Sequence, residues 1–309
     1  MNKKNVLTVK NLNKTYQKKG SNPVTAIENL NLSVQQGEIF GLLGPNGAGK
    51  TTFINILSGS VMKTSGFVEV WGFNLDKNPR QVRASIGIVA QDVNLDPFFT
   101  PESLLDLQAG LYGIKKKDRI TSKILNLVSL EKQAKSYARS LSGGMKRRLM
   151  VAKSLVHQPP IIILDEPTAG VDVELRQNLW KNVKTLNQEG VTIILTTHYL
   201  EEAEKMCDRI GILNKGNLVA LDTTQKLLEK IQIKKISIKV NKRVNINESK
   251  FKTLKIVSST NNEINLSYDK NELKIDQIIK LIEENGARIL DLSTDDGDLE
   301  DVFLSLTKS

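Results

Sequence analysis

A five-residue apolar run, Ile39 to Leu43, breaks directly into Gly44-Pro45-Asn46-Gly47-Ala48-Gly49-Lys50-Thr51, and few chain geometries accommodate that pair of features. The run lacks polar alternation, as a strand covered on both faces requires. The glycines allow backbone N–H groups to turn inward, and a helix expected to begin near Thr51 points its positive end at the same spot. Strand, loop and helix in that order form a cradle for phosphate oxygens. Lys50 is placed to reach β and γ phosphates, and the Thr51 hydroxyl is placed to ligate Mg²⁺.

Further unbroken apolar runs at Ile86 to Val89, Ile161 to Leu164 and Val191 to Leu195 point to the same sheet, mostly parallel and covered by helices. Short β-type runs at Val6 to Val9, Leu32 to Val34 and Phe67 to Val70 predict strands around the buried one. Between about 97 and 156 the period becomes helical, through Leu104, Leu105, Leu107 and Leu111, then Ile120, Ile124, Leu127 and Val128. Asn214-Lys215-Gly216 predicts a hairpin turn between Ile210 to Leu213 and Leu218 to Leu221. The fold class is therefore α/β, with a main domain over 1–222. A small α+β domain is expected over 230–309. It has strands around Ile236 to Val240 and Ile264 to Leu266, a helix stopped by Asn285 and Gly286, and a last helix along Leu299, Val302, Phe303 and Leu306.

Ile161-Ile162-Ile163-Leu164 ends in Asp165 and Glu166, the Walker B pattern, which puts two carboxylates at the C-terminal edge of the sheet where α/β folds bind ligands. Neighbouring side chains on a strand point opposite ways, so the two can divide the work. Asp165 suits the Mg²⁺ shell, and Glu166 is free to take a proton from an attacking water.

A third stretch is more specific. Leu141-Ser142-Gly143-Gly144-Met145, followed by Lys146-Arg147-Arg148 and an apolar-faced helix, resembles the signature motif of ABC ATPases. The resemblance implies a P-loop NTPase fold: a RecA-like core with an antiparallel β subdomain and a helical subdomain. It also implies a role for residues whose pattern alone would not assign one. Tyr16 matches the aromatic that stacks on adenine, Gln91 the loop glutamine that also reaches Mg²⁺, Asp172 the aspartate after Ala169-Gly170-Val171, and His198 the switch histidine. Thr52 joins Gly44 to Thr51 in holding ATP. Ser142, Gly143 and Gly144 serve an ATP held by a second ATPase subunit, expected to be another copy of the chain. Met145 stands where glutamine is commoner, which removes whatever that side chain would contact.

Charge and cysteine content bear on partners. The net charge of +10 is compatible with nucleic acid, anionic lipid or a polyanionic small ligand. The lysines are dispersed and not interleaved with aromatics, and no nucleic acid is expected. The single Cys207 excludes an intramolecular disulfide. The acids Glu201, Glu202 and Glu204 read as a helix's first turn meeting its dipole. No run of eighteen apolar residues occurs, and neither a signal peptide nor a membrane span is expected. The family resemblance implies membrane attachment through a separate integral-membrane subunit on the cytoplasmic face, docking near Gln91 to Thr100 with Phe98 and Phe99. The tail ending Leu299-Glu300-Asp301-Val302-Phe303, together with Thr197-His198-Tyr199-Leu200-Glu201-Glu202, is similar to the drug and antibiotic exporter type. Import and a soluble role on ribosomes or DNA are the alternatives.

Overall fold

Strands that alternate in polarity and strands that do not are sorted into different sheets. The computed structural model describes residues 4–17, 20, 22–169, 173–244, 253–295 and 297–307. It divides the chain into two units, Met1–Thr223 and Thr224–Ser309.

In the first unit, β1 (Asn5–Tyr16) and β2 (Val24–Gln35) pair antiparallel from Asn5↔Gln35 to Tyr16↔Val24. Leu7, Val9 and Leu12 on one strand and Ile27, Leu30, Leu32 and Val34 on the other are buried. Asn11 and Asn29 sit at positive φ, where the register slips. Next come β3 (Ile39–Leu43) and α1 (Lys50–Ser58). After them, β4 (Ser65–Val70) and β5 (Phe73–Asn74) extend the first sheet to the order β2-β1-β4-β5.

The short α2 (Pro79–Ala84) leads into β6 (Ile86–Val89), after which the chain becomes helical. α3 (Pro101–Leu111) starts at a Thr100 cap whose hydroxyl accepts from Ser103 N–H, with proline in the first turn where no N–H is needed. α4 (Thr121–Leu127) and α5 (Gly143–Leu155) follow, the latter capped by Ser142. The chain then returns to the second sheet through β7 (Ile161–Asp165), α6 (Val173–Gln188), β8 (Thr192–Thr197), α7 (Leu200–Met206), β9 (Arg209–Asn214) and β10 (Asn217–Thr223).

This sheet has the order β10-β9-β3-β8-β7-β6. All its pairings are parallel except the β9–β10 hairpin. Every residue of β3, β7 and β8 is buried, which accounts for their unbroken apolar runs. Because β3, β8, β7 and β6 lie side by side and run the same way, the segments that leave their C-terminal ends emerge along one edge. Those segments are Gly44 onward, His198, Glu166 and Gln91.

In the second unit, α8 (Thr224–Glu229) precedes β11 (Ile233–Val240), β12 (Lys255–Ser259), β13 (Glu263–Asp269), α9 (Ile275–Glu284), β14 (Ile289–Asp295) and α10 (Leu299–Thr307). Its antiparallel sheet, β12-β13-β11-β14, turns Ile236, Ile238, Ile264 and Leu266 inward against Ile278 and Ile282 of α9. β12 and β14 are both sheet edges. In β12 four of five residues are exposed, so it pairs through its backbone without a buried apolar stripe to announce it. Among the described residues, no helix is long and apolar enough to cross a membrane.

α5 reaches β6 at a contact that admits no side chain. A Cβ on Gly87 would lie 2.3 Å from the Ser154 carbonyl oxygen and 2.9 Å from the Pro159 ring. Gly87→Ala is therefore expected to destabilise the protein by about 1–3 kcal/mol through overpacking. The check is a thermal or urea melt, in which an unchanged midpoint would contradict the close packing.

Candidate nucleotide site

The glycine-rich loop leaves β3 and enters α1 through Gly49, whose φ of 109° is reserved in practice for glycine. A Cβ there would meet the Ala26 carbonyl oxygen at 2.5 Å, so β2 braces the loop from behind. Gly44, Ala48 and Gly49 are buried, whereas Pro45, Asn46 and Gly47 are exposed along its outer side. Lys50, first in α1, is only 5% exposed. Its ammonium donates to the carbonyls of Gly44 (2.6 Å) and Pro45 (3.3 Å) and lies 3.6 Å from Glu166 Oε1. Burial lowers the Lys50 pKa below the usual lysine range, and the negative charges of Glu166 and Asp165 oppose the shift. Next to it, Thr51 is exposed and Thr52 half-buried.

The two carboxylates at the end of β7 are also buried, and they face different partners. The Thr196 hydroxyl on β8 donates to Asp165 Oδ1 at 2.6 Å. Burial pushes the Asp165 carboxyl above the usual range, against the pull of that hydrogen bond and of the Lys50 and Arg147 charges. Glu166 follows at φ 45°, a left-handed conformation uncommon for a residue with a side chain. Its N–H donates to the Thr196 carbonyl (3.0 Å) and hydroxyl (3.2 Å). Its Oε2 lies 3.0 Å from His198 Nδ1. When the carboxylate is ionised it only accepts, and Nδ1 is then the donor in this contact. One carboxylate thus spans a lysine and a histidine delivered by different segments.

Arg147, to which the sequence pattern by itself assigns no role, is a further participant. It is 6% exposed on α5 and donates to four carbonyl oxygens: Ala90 (2.9 Å), Gln91 (2.6 Å), Glu166 (2.8 Å) and Pro167 (3.0 Å). Helical spacing held the signal, because Gly144, Arg147, Val151 and Ser154 share the buried stripe of α5. Among the acids after His198, Glu201 is an exposed first-turn residue paired with Lys205. Glu202 also lies in that first turn, whereas Glu204 falls beyond it; Glu202 is in addition buried, accepts from the Thr168 hydroxyl at 2.7 Å and pairs with Arg176 Nε at 3.2 Å. It ties the segment after Glu166 to the helix after His198.

Other named residues lie apart from this cluster. Gln91 holds its place by its carbonyl, and its side chain is exposed. Tyr16, 40% exposed, ends β1 with the Lys14 ammonium 4.5 Å from its ring centre. Ser142 and Gly143 are exposed at the start of α5, where the Ser142 hydroxyl accepts from Met145 N–H (3.3 Å). Among the described residues, no hydrogen bond or ion pair joins Ser142, Gly143 or Gly144 to Lys50 or Glu166. Asp172 lies outside the described residues. Of the two phenylalanines after Gln91, Phe98 is exposed and Phe99 half-buried. A groove of about 390 Å³ runs past Ala90, Asp92, Gln108 and Tyr112, whose ring stacks on His157 at 3.8 Å.

Comparison with known proteins gives the family of this fold. The family model described as ABC transporter matches residues 27–169. The chain is 33% identical to the linearmycin resistance ATP-binding protein LnrL of Bacillus subtilis, over 98% of each chain. It is 37% identical to the Nod factor export ATP-binding protein I of Ralstonia nicotianae, over 72% of this chain and 68% of that one. A solved ATP-binding subunit of an ABC transporter superposes with a TM-score of 0.65 at 29% identity, covering 73% of this chain and 92% of the other. The dimeric, post-hydrolysis structure of the ATP-binding cassette MJ0796 bound to ADP and Pi superposes with a TM-score of 0.63 at 28% identity, covering 71% and 98%. The Lys50, Asp165, Glu166 and His198 cluster sits on the fold those cassettes share, and the chain belongs to the ABC transporter family as an ATP-binding protein.

Proposed function

We propose that this chain hydrolyses ATP to drive export through a separate membrane-spanning subunit, with Glu166 as general base, His198 holding it and Lys50 on the phosphates. The observation that carries the reading is the Glu166 carboxylate lying 3.6 Å from the Lys50 ammonium and 3.0 Å from His198 Nδ1.

The residues present fit a magnesium nucleotide. The Lys50 ammonium is buried against loop carbonyls, and a phosphate oxygen is a stronger acceptor for a cation than either. Thr51, Asp165 and Gln91 offer only oxygen ligands on the metal side, the donor type Mg²⁺ takes. Bound together, ATP supplies the phosphoryl group and Mg²⁺ offsets charge on its oxygens. Gly44 to Thr52 hold the phosphates through backbone N–H groups, with Tyr16 under the base. Glu166 accepts the proton of the attacking water, and His198 keeps its carboxylate in line. Asp165 is held for the metal by the Thr196 hydroxyl. Ser142 and Gly143, exposed, and Gly144, buried behind them, make no hydrogen bond to this chain's own phosphate loop among the described residues, and they serve the nucleotide of a second copy, with Asp172 at the junction. Residues 1–222 carry this chemistry, and 230–309 form an accessory domain.

The export direction rests on relatives named for linearmycin resistance and Nod factor export. The groove beside Gln91, with exposed Phe98 near it in sequence, is the surface we assign to the membrane subunit. That subunit places this chain at the cytoplasmic face.

Glu166→Gln is expected to leave ATP affinity nearly intact while hydrolysis falls by about 10² or more, the scale of general-base catalysis. ATP should then hold the chain as a dimer on size exclusion, and near-normal turnover would remove Glu166 from the role. For Lys50→Ala, a fluorescent-nucleotide titration is expected to show lost affinity together with lost hydrolysis. Unchanged affinity would contradict the loop assignment.

A further inference from the structure

Arg147 brings a permanent positive charge into the interior, where, among the described residues, no carboxylate lies within ion-pair distance of it, the Asp165 and Asp92 charges attracting it only from further away. A buried charge is tolerated only when hydrogen bonds replace its water, and here all four are to backbone carbonyls. An apolar side chain of similar volume would fill the same space without that desolvation cost. Packing alone therefore does not account for arginine at this position.

The positions of the four carbonyls do account for it. Ala90 and Gln91 follow the last residue of β6, and Glu166 and Pro167 follow the last residue of β7. The two strands are neighbours, paired up to Val89↔Leu164, and beyond that point the ladder no longer serves their carbonyls. One planar guanidinium bridges both strand ends, with Nη1 on the β6 side and Nη2 and Nε on the β7 side. A lysine ammonium is a point charge and lacks the rigid fork needed for such a span.

Glu166 gains most from this arrangement. Its left-handed backbone costs energy and persists only if neighbouring groups over-determine it. Thr196 holds its N–H from one side and Arg147 holds its C=O from the other. Relaxation of that backbone would swing the carboxylate away from Lys50 and His198. Arg147 also lies in the second turn of the helix that Ser142 caps, so a displacement at the start of α5 is felt at Glu166 through a single side chain.

We propose that Arg147 is a positioning residue for hydrolysis, locking the Glu166 and Gln91 backbones to the helix that begins at Ser142. In this way the base is aimed only while that helix is seated. This rests on Glu166 being the base and adds how occupancy of Ser142 to Gly144 by a partner's nucleotide is sensed.

The test uses the full chain with Arg147→Lys, which keeps the charge, and Arg147→Met, which keeps the bulk. For each, kcat, KM for MgATP, affinity for a fluorescent ATP analogue and hydrogen exchange are measured. The expected result for both is a kcat at least tenfold lower, nucleotide affinity within threefold of the parent, and faster exchange confined to peptides around 88–95 and 164–169. A kcat within twofold of the parent overturns the proposal. So does a parallel loss of kcat and affinity with exchange raised throughout the first unit, the pattern of a merely structural arginine. If the methionine variant does not fold, the lysine variant decides alone. In a Glu166→Gln background, Arg147→Lys is expected to lower the residual rate by less than twofold, and a further tenfold loss would show action outside Glu166. Near-normal turnover of Glu166→Gln alone would instead defeat the base assignment. Exchange over 164–169 would then decide by itself whether Arg147 holds that backbone.

Discussion

Parallel pairing of β3, β8, β7 and β6 is the constraint on which the rest of the site depends. Parallel strands must be joined by crossovers, so residues far apart in sequence leave the sheet along the same edge. Lys50, Glu166 and His198 become neighbours because their strands are neighbours, and Gln91 leaves the same edge one strand further out. Burial of both sheet faces follows from covering those crossovers, and it removes the water that would otherwise solvate Lys50, Asp165 and Glu166. The charged groups consequently answer to one another. Desolvation lowers the Lys50 pKa and raises that of Asp165, while their mutual attraction opposes both shifts.

A second consequence is that strand ends carry polar backbone groups which the ladder no longer serves. Thr196 and Arg147 take up that work on opposite sides of Glu166. Glu202 does comparable work one step further out, joining Thr168 to the helix behind His198 and drawing in Arg176. Hydrogen bonds to charged or buried partners dominate here because each one replaces lost hydration. The site is therefore better described as a backbone framework with a few reactive side chains than as a set of side chains on a passive sheet.

The exposed start of α5 stands apart from this framework. Ser142 and Gly143 sit at a helix N-terminus, with its unsatisfied N–H groups and positive dipole, yet none of this chain's phosphate-loop residues faces them through a hydrogen bond among the described residues. A helix N-terminus left open in this way is what the proposed two-chain site requires. The MJ0796 cassette, similar over most of the first unit, is a dimer in its solved structure.

Sequence alone determined the elements whose physics is local. Unbroken apolar runs marked β3, β6, β7 and β8, and Gly44 to Thr51 could be read as a phosphate cradle because glycine, lysine and threonine act there through spacing of a few residues. The carboxylates at 165 and 166 were legible for the same reason. How those pieces meet is set by packing across the sheet. That Glu166 lies between Lys50 and His198, that Arg147 grips two strand ends, and that Glu202 is buried while Glu201 is exposed all depend on contacts across many intervening residues, which no local period encodes. The strands β12 and β14 leave little imprint on the sequence because none of their residues is buried and they pair through backbone hydrogen bonds that every residue can make.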